Sequence, residues 1–79
     1  MKHVYLVQYF KYARDGGIAN QNVHAFISRT SAETYLKTLF KNGEFRTEND
    51  HLVSAYIPDD SNPWQGMSAE AVIVKKKVE

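Results

Sequence analysis

The sequence predicts an α+β fold: a four-stranded, mainly antiparallel sheet with one helix packed on one face, in the order β-β-α-β-β. Three features lead to it. The opening segment is dense in Val, Tyr, Phe and Leu and runs into Asp15-Gly16-Gly17; a single apolar stripe of helical period lies between residues 32 and 40; and Val72-Ile73-Val74 places three β-branched residues in a row near the far end. Aromatic and β-branched residues favour strands, and Asp-Gly or Gly-Gly supplies the positive φ of a tight hairpin.

The first strand is expected over Lys2–Tyr12 and its partner over residues 21–28, joined by a two-residue turn at Asp15-Gly16 or Gly16-Gly17. The first turn pairs Leu6 with Ala25, Val4 with Ile27 and Gln8 with Val23; the second shifts the partners but keeps the same faces together. A three-residue loop would flip one strand's faces relative to the other, because side chains alternate with period two. The helix is expected over residues 31–41. Thr30 and Glu33 form the S/T-x-x-E pattern of a capping box, and Ala32, Tyr35, Leu36, Leu39 and Phe40 make one face. Lys37 and Lys41 suit the negative end of the helix dipole, and Gly43 is the expected left-handed cap. Residues 44–50 are polar and read as a loop, with a short edge strand around Phe45. A third strand is expected over residues 51–57 and a last one from Met67 or Ser68 to Val78.

Length and composition set the limits. Seventy-nine residues without repeats or low-complexity tracts allow one domain, 1–79. A chain of this size buries only roughly 60–65% of its unfolded surface. With no cysteine there is no disulfide, thiolate metal site or cysteine nucleophile. The first residues carry no signal-peptide pattern and no apolar stretch is long enough to span a bilayer, so a cytoplasmic protein is expected, with no membrane partner. The net charge of +1 hides an asymmetry. Residues 1–41 carry six basic side chains against Asp15 and Glu33; residues 42–70 carry Arg46 against six acidic ones; Lys75, Lys76 and Lys77 return the balance.

A three-turn helix covers one face of such a sheet. The aliphatic content of the hairpin assigns it to the face of Val4, Leu6, Phe10, Val23, Ala25 and Ile27. The opposite face then exposes His3, Tyr5, Val7, Tyr9, Lys11, His24 and Phe26. Large apolar patches on small proteins usually mark interfaces. Tyr5, Val7, Tyr9, His24 and Phe26 are therefore the expected dimer or partner surface, with Trp64 as a second anchor. The alternatives are that the loops at 44–50 and 58–66 cover this face, that the two faces are exchanged, or that Trp64 folds back as a lid on the core.

Site chemistry is sparse. The three histidines lack metal-ligand spacing, Asp59-Asp60-Ser61-Asn62 lacks the alternating oxygens of a calcium loop, and Asp50-His51 points its side chains to opposite faces. No catalytic, metal or cofactor site is expected, and the chain reads as a non-enzyme. Lys75-Lys76-Lys77 reads as protection of an edge strand. The expected function is a small protein-interaction module, of the accessory, regulator or inhibitor type found in bacteria and phages, paired with itself or with another protein. The alternative is a single-stranded nucleic-acid binder that stacks bases on Tyr5, Tyr9 and Phe26.

Overall fold

A computed structural model describes residues 2–59, 61 and 66–78. The chain runs β1 (Lys2–Tyr12), β2 (Ile18–Phe26), α1 (Arg29–Leu39), β3 (Glu44–Glu48), β4 (His51–Pro58) and β5 (Met67–Val78). The α+β class holds, but the sheet has five strands rather than four, in the order β2-β1-β5-β4-β3. All four strand pairs are antiparallel.

The additional strand is β3, in the segment expected to be mostly loop. It pairs with β4 through Asn49 and Asp50, whose φ values of 51° and 65° place both in the left-handed region. A two-residue turn with positive φ at both positions matches the right-handed twist of a hairpin, and Asn and Asp tolerate it better than other non-glycine residues.

The first hairpin keeps the expected partners Leu6↔Ala25 and Gln8↔Val23 by another route. Its turn is longer, with the Ala13 amide bonding the Gly17 carbonyl at 2.8 Å and Gly16 at φ 92°. Lys11 then pairs with Asn20 and Tyr12 with Ile18, so Ala19 is the extra residue of a bulge that restores the register.

The helix begins earlier than the capping-box pattern implies. Ser28, in extended geometry, is the N-cap, and its hydroxyl oxygen accepts from the Ser31 amide at 3.1 Å. Thr30 thus lies inside the helix. Glu33 reaches away from the helix start, and its Oε1 accepts the Leu52 amide of β4 at 3.1 Å. This bond sits beside a second bulge. Arg46 pairs with Ser54 and Thr47 with Leu52, so Val53 is unopposed. The bulge turns Leu52 to the same side as Ala55, three positions away, and both are buried. Helix and bulge are coupled through one carboxylate.

At the other helix end, Gly43 is not the left-handed cap, since its φ is not positive. It is needed for space: a Cβ there would lie 2.6 Å from the backbone oxygen of Tyr56. The absence of a side chain lets the chain leave the helix directly against β4.

The core lies between α1 and one sheet face. Val7, Leu36 and Phe40 are its large buried side chains, accompanied by Leu52 and by Ala32, Ala55, Ala69 and Ala71. The face assignment expected from the hairpin is therefore exchanged, because the helix covers the side that carries Val7. Overall extents of 43 × 24 × 18 Å correspond to two layers. Among the described residues no helix is long and apolar enough to cross a membrane.

Three substitutions distinguish these roles in urea denaturation. Ser28→Ala is expected to cost about 1 kcal/mol, and Thr30→Ala to stay within about 0.5 kcal/mol. Gly43→Ala forces a Cβ onto rigid backbone and should cost about 1–3 kcal/mol. Equal losses at Ser28 and Thr30 would contradict the observed cap.

Candidate interaction surface

With α1 on the Val7 side, the expected interface residues are the covered ones. Val7 is fully buried, and Tyr5, Tyr9 and Phe26 are half-buried against the core. Tyr35 of the helix holds the rings of His24 and Phe26 at 5.0 and 5.2 Å, Phe40 lies 5.8 Å from Tyr9, and the Arg29 guanidinium sits 5.0 Å over Tyr5. His24 keeps solvent exposure, but the group as a whole is the underside of the helix. It presents neither a flat dimer face nor a row of free rings for bases. Trp64 lies outside the described residues.

The face opposite the helix, uncovered among the described residues, is its mirror, and strand register places its members. One row across the sheet runs Ala25, Leu6, Val74. The next runs Val23, Gln8, Val72, Ser54, Arg46, and a third runs Gln21, Phe10, Glu70, Tyr56, Glu44. Val4 and Lys76 pair at the far end. The apolar part thus spans β2, β1 and β5, and polarity rises toward β3. Val23 is 61% exposed and Val72 36%, although both sit on strands. Just past β2, Ile27 is 90% exposed and lines a cleft of about 320 Å³ with His3, Val4 and Val78.

The sequence carried a signal for this assignment on the central strand. Alternate positions of β5 read Ala69, Ala71, Ile73, Lys75, Lys77 on one side and Glu70, Val72, Val74, Lys76 on the other. Both sets end in lysine, and the difference lies at Glu70, which falls on the uncovered side opposite the alanines, as Gln8 falls between Leu6 and Phe10 on β1. Weighing the hairpin alone hid both.

One polar device is built into the uncovered face. Tyr12 donates its phenolic hydrogen to Glu70 Oε1 at 2.5 Å, tying the end of β1 to β5. Burial, the hydrogen bond and the neighbouring negative charge, in that order, raise the Tyr12 pKa from 10.0 to about 12.

Elsewhere the groups that bear chemistry are engaged locally. His51 Nδ1 lies 3.7 Å from Glu33 Oε2 on a solvent-facing side of the helix. The Asp59 carboxylate accepts the Ser61 hydroxyl at 2.6 Å and the Ser61 amide at 3.0 Å, which hold its pKa below the usual value. Asp60 and Asn62 of the calcium-like stretch lie outside the described residues. Among the described residues no three His, Asp or Glu side chains group as a metal site. No protein-family model matches the chain, and no curated protein or solved structure matches it either.

The Tyr12 contact is testable by ultraviolet titration. A phenol whose folded pKa exceeds its unfolded value contributes stability that is intact below pH 10 and lost as pH rises from 10 to about 12. In Glu70→Gln the charge is gone and the Tyr12 midpoint should move back toward 10, leaving the part due to burial. An unchanged midpoint in that variant would rule out the contact as a cause.

Proposed function

We propose that this chain is a protein-interaction module that works as a homodimer, two copies stacking the uncovered faces of their sheets. The observation that carries this reading is the self-complementarity of β5, the middle strand. On the uncovered face it reads Glu70, Val72, Val74, Lys76. A two-fold axis lying across the strands at the level of Ile73 sets Glu70 of each copy against Lys76 of the other. It also lays Val72 over Val74, and the apolar β2-β1-β5 region of one copy over the same region of its partner.

Size supports a second copy as the occupant. Among the described residues the buried core contains three large side chains below 2% exposure and four alanines, a small reserve. Covering the second face supplies the layer that a sheet with one helix lacks. Five strands about 4.8 Å apart and seven residues long give a footprint of roughly 550 Å² per copy. The total of roughly 1,100 Å² lies at the low end of specific interfaces, so the dimer is expected to be reversible. Aligned sheets pack with their strands about 30° apart. Base stacking on Tyr5, Tyr9 and Phe26 lacks comparable support, since those rings lie under the helix.

Sedimentation equilibrium on charge variants tests the reading. Wild type should dissociate on dilution, and Lys76→Glu should weaken self-association at least tenfold by opposing Glu70 with a second carboxylate. The exchange Glu70→Lys with Lys76→Glu should restore it, because the pairs are reversed, when every protein compared also carries Tyr12→Phe so that the Tyr12 bond to Glu70 is absent throughout. A wild type that stays monomeric at millimolar concentration, or a double variant as weak as the single one, would overturn the stacked dimer.

A further inference from the structure

We infer that the outer edge of β2 is a second association site, taken by the same edge of another copy in antiparallel pairing to form a continuous ten-stranded sheet. This goes beyond the stacked faces and rests on different residues.

Among the described residues, three stretches of strand of five residues or more lack a neighbour on one side. β3 is one outer edge of the sheet and β2 is the other. The third is the end of β5, whose ladder with β4 stops at Ser54↔Val72 while β1 continues alongside it to Val78. Open edges pair with other chains unless something prevents it, and charged side chains are a common defence. Two of the three are defended in this way. β3 reads Glu-Phe-Arg-Thr-Glu, and the end of β5 carries Lys75, Lys76 and Lys77. β2 reads Ile-Ala-Asn-Gln-Asn-Val-His-Ala-Phe, nine residues without Asp, Glu, Lys, Arg or Pro.

The contrast sharpens when each edge is paired with itself. Centring β3 on Arg46 sets Arg46 against Arg46 and Glu44 against Glu48, while centring it on Phe45 sets Glu44 against Arg46, so every self-pairing of β3 carries charged side chains across the ladder. The regular part of β2, beyond its bulge at Ala19, is the run 20–26, whose midpoint is Val23. Centring there opposes Val23 with Val23, Gln21 with Ala25 and Asn22 with His24. No pair brings like charges together, and Asn with His can hydrogen-bond.

A second copy fits this edge better than an unrelated strand because the pairing closes. The two-fold axis stands perpendicular to the sheet at Val23 and consumes both β2 edges. The outer edges that remain are both β3, which keeps its charged side chains Glu44, Arg46 and Glu48. An isologous contact of this kind ends at two copies instead of growing into a fibre. It also keeps both helices on one side of the joined sheet and merges the two uncovered faces on the other.

Amide hydrogen exchange and sedimentation test the edge separately from the face. In a Lys76→Glu protein, whose stacked faces are weakened, the outward-facing amides within residues 20–26 should exchange at least tenfold more slowly at high than at low protein concentration, and the mass should reach two chains. Adding Asn20→Lys with Asn22→Lys sets lysines of the two copies diagonally across the new ladder, away from the uncovered face, and spares His24 with its contact to Tyr35. These changes should abolish the concentration dependence while circular dichroism shows the fold retained. Wild type, with both sites, should reach four chains. Exchange in residues 20–26 that does not change with concentration would overturn the inference, even if the faces stack. Growth of the Lys76→Glu protein into open-ended polymers would overturn it as well, since β2 would then be pairing with an edge other than its own.

Discussion

A single helix of eleven residues has to cover five strands, and the rest of the architecture is arranged around that shortage. Eleven helical residues span about 16 Å on a cylinder about 10 Å across, while five strands spread over roughly 20 Å. The helix therefore covers the centre of one face, and its seat is built for close approach. Ala69 and Ala71 on β5 and Ala55 on β4 form a floor of small side chains under Ala32 and Leu36. Around this floor Tyr5, Tyr9, Phe26 and Ile73 make a taller rim, which closes the sides of the cavity that a narrow helix leaves open. The opposite face, with Val72 and Val74 standing where the floor would be, has no such seat.

The same shortage explains the irregular strands. β4 would otherwise turn Val53 and Ala55 toward the helix and leave Leu52 on the far side. The bulge at Val53 recruits Leu52, a much larger apolar side chain than any alanine of the floor, into a core that has few. Bulges disturb the ladder, and a buried amide without a partner costs about 1–3 kcal/mol. The Glu33 carboxylate at the Leu52 amide meets that need from the helix side. It also fixes where the helix sits along β4. The glutamate that resembles half of a capping box is thereby a tertiary contact, and local pattern gave way to a long-range requirement.

Much of the secondary structure was legible because it rests on local chemistry. β1, the helix stripe and the last strand appear within a residue or two of where periodicity places them. That Leu6 and Ala25 share one side of the sheet also emerged from matching faces across the hairpin. β3 was obscured by its own defence, since alternating Glu and Arg reads as solvated loop until the Asn49-Asp50 turn is recognised as a hairpin signal. The candidate surface was misplaced for a different reason. Aliphatic residues on β1 and β2 outnumber aromatics on the side that proves to be uncovered, and a two-strand count favours that side for burial. The decision belongs to β5, where Ala69 and Ala71 oppose Glu70, and nothing local to the hairpin reveals that β5 lies beside β1 in the middle of the sheet. Glu33 is illegible in the same way, because its partner is nineteen residues distant.

The two proposed association sites are geometrically compatible, which is not guaranteed for independent surfaces. The face axis runs across the strands through the rung of Ile73, Val7 and His24, since Val7 pairs with both. The edge axis stands perpendicular to the sheet at Val23, one residue away, or about 3.4 Å along the strand. Two perpendicular two-fold axes that meet generate a closed assembly of four, whereas axes far apart generate an open lattice. A one-residue offset is within what sheet twist and a small slide of the stacked faces can absorb. The same placement directs the remaining charge. In such an assembly the β3 edges with Glu44, Arg46 and Glu48 lie outermost and both helices of each sheet face solvent, so the apolar β2-β1-β5 region is enclosed from the face and from the edge together. The undefended strand and the uncovered patch adjoin each other, so the proposed arrangement of copies would protect both.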